Sequence, residues 1–82
     1  MITEEYLESV RERLSAARSG PWASHIEGRD FLGGDSVITT GAEDIYLSGA
    51  SAADQDFIAH AKEDVEMLLN EVLRLRKLIL DK

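Results

Sequence analysis

His60, Glu63 and Asp64 fall within about one helical turn of one another. That spacing could set two or three metal ligands on one stretch of helix surface. No second cluster completes a coordination sphere, so the favoured reading is a solvated helix face, and no metal is expected. The chain has no cysteine, which removes thiolate nucleophiles, disulfides and thiolate zinc sites. Gly28 to Gly34 is glycine-rich. No Gly-Lys-Ser/Thr follows it and no helix is predicted to begin there, so a turn is a better reading than a phosphate loop. There is no Gly-x-Ser-x-Gly elbow, and the scattered Ser, His and Asp residues have no triad-like spacing. The expectation is a protein that is not an enzyme, with no catalytic residues and no cofactor.

A small-ligand site is the more open question. Trp22, the single tryptophan, is followed by His25 and Arg29. Arg29 is the one base between Arg18 and Lys62, so an anionic, nucleotide-like ligand would find few other cations. The competing structural reading is preferred: Trp22 as a plug between helix and sheet, and Arg29 as an ordinary surface arginine.

Three segments must position these residues within a single α+β domain spanning 1–82. Residues 1–19 read as a helix. Thr3 suits the N-cap, Glu4 and Glu5 favour the positive helix end, and Ile2 with Leu7 can form a hydrophobic staple. Leu7, Val10, Leu14 and Ala17 make a narrow apolar stripe. Arg18 closes the last predicted turn, and Gly20-Pro21 stops the helix.

Residues 20–50 read as a three-stranded antiparallel β-meander. Its β-prone runs are Trp22 to Ile26, Ser36 to Thr40 and Asp44 to Ser48, separated by Gly33-Gly34-Asp35 and Gly41 to Glu43. Residues 51–82 read as one long helix. Ser51 and Asp54 resemble a capping box, and no Gly or Pro interrupts residues 52–82. Such a helix would be roughly 45 Å long.

On that helix Ile58, Ala61, Val65, Leu68, Val72, Leu75 and Ile79 alternate by three and four, an unbroken heptad stripe. With Ile58 at a, all a residues are β-branched, and Ala61, Leu68 and Leu75 stand at d, a choice that suits parallel two-stranded coiled coils, with weaker pairing near the helix start where the d residue is the small Ala61. Glu71 at g and Arg76 at the next e are placed for an interchain ion pair. Leu69, Leu73 and Leu80 form a second apolar line, widened by Phe57 and Leu78. One line can pack on the rest of the chain; the other then needs a second copy. Antiparallel dimers and four-helix tetramers would also bury both. A chain of 82 residues buries a modest fraction of its surface and usually needs a staple. A partner chain is the staple left by elimination.

The formal net charge is −7, from sixteen acids against nine bases. This disfavours direct contact with nucleic-acid phosphates and with anionic membranes. It favours a basic partner surface. No leader-like pattern follows Met1 and no apolar run approaches a membrane span, so the cytoplasm is the expected compartment. The acid-rich stretches Glu4 to Glu12 and Asp54 to Glu71 admit a further reading, an acidic DNA mimic, which the interspersed Arg11, Arg13, Lys62 and Arg74 dilute.

Ser19-Gly20-Pro21-Trp22, together with Asp56-Phe57-Ile58-Ala59-His60-Ala61 and Asp64-Val65 through Leu68-Leu69, Glu71-Val72 and Arg74-Leu75-Arg76, resembles a pattern in small phage, prophage and bacterial proteins. That pattern joins a Pro-Gly-Pro-Trp-like signature to a C-terminal helix, and some Ead-type phage proteins carry it. Lys62 replaces the family's arginine and Glu66 its proline, so this helix should run straighter there. The resemblance implies a phage or mobile-element accessory protein in the host cytoplasm and carries no activity with it. The leading functional expectation is a homo-oligomeric, non-catalytic binding module for a host or phage protein. The alternatives are a nucleotide-like-signal sequestering protein and the acidic DNA mimic.

Overall fold

The computed structural model describes residues 1–81, in the order helix, strand, strand, helix. The first helix, α1, is Glu4–Ala16. Thr3 caps it, its hydroxyl accepting from the Tyr6 amide at 3.0 Å. The helix ends two residues short of Arg18, because Ala17 is already extended (φ −72°, ψ 158°). The Gly20–Pro21 peptide bond is cis.

Two short strands follow, β1 (Ala23–His25) and β2 (Val37–Thr39). They pair antiparallel with Ser24 opposite Ile38. This corrects the predicted three-stranded meander: the sheet has two strands. The third run keeps the predicted neighbour but contributes one residue. Ile45 exchanges both backbone hydrogen bonds with Ile38, at 2.8 and 2.9 Å, as an isolated bridge. β-propensity in Ile45, Tyr46 and Leu47 does not extend the ladder, because β2 is only three residues long and offers few paired positions. The chain must also reach the cap of the next helix at Ser51 within a few residues. It passes Gly49, whose φ of 82° is a left-handed conformation easy for glycine alone.

The turn before Ile45 is closed by Thr40, whose hydroxyl accepts from the Ala42 amide and donates to the Glu43 carbonyl. Its tip touches the α1–β1 connection: the Gly41 amide donates to the Ser19 carbonyl at 2.7 Å. A Cβ on Gly41 would lie 2.5 Å from Ser19 Oγ and 2.8 Å from the Gly20 carbonyl oxygen. Glycine is required there by the close approach of two backbones.

The second helix, α2, is Ala52–Leu80, 29 residues. Ser51 and Asp54 form the reciprocal capping box, with aspartate in the place of the usual glutamate. α2, about 44 Å long at about 1.5 Å per residue, runs along most of the long dimension of a molecule measuring 56 × 21 × 20 Å. The sheet sits against its first turns, and α1 lies antiparallel along the remainder. Lys62 reaches Leu14 near the end of α1, and Arg76 reaches Ile2 before its start. Among the described residues, the buried apolar side chains are Leu7, Ile38, Ala59 and Leu69. That is a small core even for a domain of this size. No described helix is long and apolar enough to cross a membrane.

Candidate functional site

The heptad frame divides α2 into a side held by its own chain and a side left open. The held side is the e register, recurring every seventh residue as Gln55, Lys62, Leu69 and Arg76. Gln55 is 4% exposed. Its amide nitrogen has three acceptors, Ser24 Oγ at 3.1 Å, the Val37 carbonyl at 3.2 Å and the His25 carbonyl at 3.3 Å, which fastens the helix to both strands. Lys62 Nζ donates to the Leu14 carbonyl at 2.9 Å. Leu69 is 7% exposed. Arg76 donates to the Ile2 carbonyl. The sheet and α1 thus take up one edge of the predicted stripe.

The opposite side is apolar and uncovered. Among a and d residues, Leu68 is 65% exposed and Ile79 71%, and Ile58, Val65 and Leu75 are also exposed. Ala61 and Val72 are half-buried. At the g edge Phe57 and Leu78 are exposed as well, and so is Met67, at the c position between them along the helix. Of the second apolar line, Leu69 and Leu73 face the chain's own body, while Leu80 does not. Glu71 and Arg74 pair along the surface of the helix, Arg74 Nε lying 3.0 Å from Glu71 Oε2. The guanidinium holds the Glu71 carboxyl below its ordinary range. Glu71 and Arg76, the residues placed by sequence for an interchain bridge, therefore each have a partner within the chain.

Where the open face meets α1 there is a groove of about 420 Å³. α1 contributes Tyr6, Val10 and Leu14, and α2 contributes Phe57, Ile58, Ala61 and Val65. Trp22 closes one part of it and is half-buried, its indole N–H donating to the Arg18 carbonyl at 3.0 Å. The tryptophan is both a plug and part of the groove wall.

The three residues considered for a small ligand are fastened separately. His25 Nε2 lies 3.1 Å from Thr39 Oγ1 across the sheet. Arg29 holds Asp56 through two nitrogens, at 2.7 and 3.1 Å, and Asp30 at 2.8 Å. Its charge is thereby matched by two carboxylates. Hydrogen bonding to Arg29 is the main reason that Asp56 is pulled down to about 2. It also lowers Asp30, with help from the Ile26 amide. The groove is lined by Trp22 and by neither His25 nor Arg29. His60 Nδ1 lies 2.8 Å from the Asp56 carbonyl oxygen of its own helix. Among the described residues no group of three or more potential ligands is placed to hold a metal.

Gln55 was not foreseen from sequence as an anchor. The available signal was its place seven residues before Lys62 in the heptad frame. A glutamine near a helix start carries no local mark of burial, however. Comparison with protein-family models, with curated proteins and with solved structures gives no match to this chain.

Proposed function

We propose that this protein is a non-catalytic phage or mobile-element accessory protein, acting in the host cytoplasm as a homo-oligomeric binding module on a host or phage factor. The observation that carries the reading is the open face of α2. Large apolar side chains run along it from Phe57 to Ile79, while the buried core is small. Continuous apolar patches of this kind on a small protein mark surfaces that another chain covers. Self-association supplies the staple that a cysteine-free chain of this length otherwise lacks. The origin in a mobile element rests on the Gly20-Pro21-Trp22 and α2 sequence resemblance alone.

A nucleotide-like ligand at Arg29 is the weaker reading, because an anion would have to displace Asp30 and Asp56 from the guanidinium. The test of the favoured reading is solution mass over a wide concentration range, for the natural chain and for Leu68→Asp and Leu75→Asp. The natural chain should be oligomeric. The variants should be folded and smaller, since an unpaired carboxylate in an apolar seam is strongly unfavourable. A natural chain that remains a single folded copy even when concentrated would refute self-association.

A further inference from the structure

We infer that the occupant of the open α2 face is a second copy of this chain running antiparallel, its α2 crossing end to end so that Ile58 faces Leu75 and Phe57 faces Leu78 of the other copy. This rests on the self-association proposed above and adds its direction. The sequence pattern taken alone suits a parallel pair, with Glu71 bridging to Arg76 across the seam. The fold removes the basis for that bridge. Parallel pairing sets g against the partner's e, and here the e register is already held within the chain: Gln55 by the strands, Lys62 by Leu14, Arg76 by Ile2. What remains open is the a, d and g side, and antiparallel helices set g against g.

Three complementarities support that direction. The first is charge. The early part of α2 carries Asp54, Asp56, Glu63, Asp64 and Glu66 against Lys62, whereas the last turns carry Arg74, Arg76 and Lys77 against Glu71 and Asp81. Parallel copies would stack the acidic halves on each other, with both helix dipoles aligned; antiparallel copies set the acidic half of each against the basic end of the other. On the g edge the same register sets Asp64 against Glu71 of the other copy, two carboxylates between which the Arg74 guanidinium, already bonded to Glu71, has to lie.

The second is shape. A parallel pair stacks Ala61 on Ala61 and leaves a hole. In the antiparallel register Ala61 meets Val72, Val65 meets Leu68, and the small residue lies against a larger one. The third is the groove. With Ile58 level with Leu75 of the other copy, that leucine stands at the mouth of the roughly 420 Å³ space between α1 and α2. A two-fold axis applies each of these matches twice, as a self-complementary interface requires.

The absence of cysteine makes the test direct. A nitroxide label on Ala53→Cys, an exposed site at the start of α2, reports the distance between copies by pulsed electron resonance. At about 1.5 Å per residue, antiparallel pairing separates the two labels by roughly 40 Å, whereas parallel pairing brings them within about 20 Å. A label on Lys77→Cys, also exposed, is the second reporter and should give about 30 Å or more on the same basis. Long distances at both sites support the inference. Short distances at both overturn it and leave the self-association standing. A single-copy mass with no distance between labels overturns both.

Discussion

The ammonium of Lys62 donates to the main-chain carbonyl of Leu14 at 2.9 Å, so a cation on α2 satisfies one of the last carbonyls of α1. Those carbonyls have no partner inside their own helix, and a positive charge there also meets the negative end of its dipole. Lys62→Met keeps the aliphatic stem and removes the donor. The expected cost is about 1–2 kcal/mol, measured by chemical denaturation, with amide exchange rising first at the end of α1. An unchanged denaturation midpoint would show that water serves Leu14 equally well.

Gln55 ties α2 to the sheet through a buried amide. Replacing it by Leu preserves bulk but leaves the Val37 and His25 carbonyls without that donor. The expected loss is about 1–3 kcal/mol, larger than for most substitutions on this helix. Circular dichroism during denaturation should show the strands and the start of α2 lost together. Retention of full stability would mean the sheet is held by packing alone.

Leu68 and Leu69 are adjacent and should behave oppositely. Leu69→Ala opens a cavity in the chain's own core and should cost about 2–5 kcal/mol at every protein concentration. Leu68→Ala trims an exposed side chain. It should leave the single-copy stability within about 0.5 kcal/mol while weakening association. The signature is a melting midpoint that falls mainly under dilution, as mass action demands. Identical concentration dependence in both variants would count against the open face as the seam.

Acid should loosen the contact between the β1–β2 connection and α2. Asp56 titrates near 2 in the folded chain, against an ordinary value of 3.8, because Arg29 hydrogen-bonds its ionised form. A depressed folded value means the contribution is present above the ordinary value and disappears as pH falls through the folded one. Stability should therefore fall between roughly pH 4 and pH 2. Arg29→Gln should flatten that part of the profile, leaving the region near neutrality less affected by pH. The readout is denaturation midpoint against pH for the two chains; parallel curves would remove the Arg29–Asp56 pair as the cause.

Much of this protein was legible in one dimension. Both helices, the Thr3 and Ser51 caps and the heptad stripe follow from residue types a few positions apart, where the physics is local: a hydroxyl reaching an amide three residues on, or apolar groups recurring with the helical turn. The positions of β1 and β2 were legible for the same reason. The third strand was not. Its residues favour extended structure, but a strand exists only when a neighbour pairs with it, and Ile45 alone finds that pairing on the short β2.

The largest decision left to the tertiary structure was which edge of the α2 stripe stays open. Sequence spacing places Lys62, Leu69 and Arg76 on the flank of the stripe without saying what covers them. That depends on where α1 comes to lie, which is set by contacts between residues such as Ile2 and Arg76, seventy-four positions apart. Arg29 illustrates the same limit. Read alone it is an unclaimed cation, and folding brings it to Asp56. Periodicity is a property of one segment. Coverage and charge pairing are properties of two segments, and only their packing determines them.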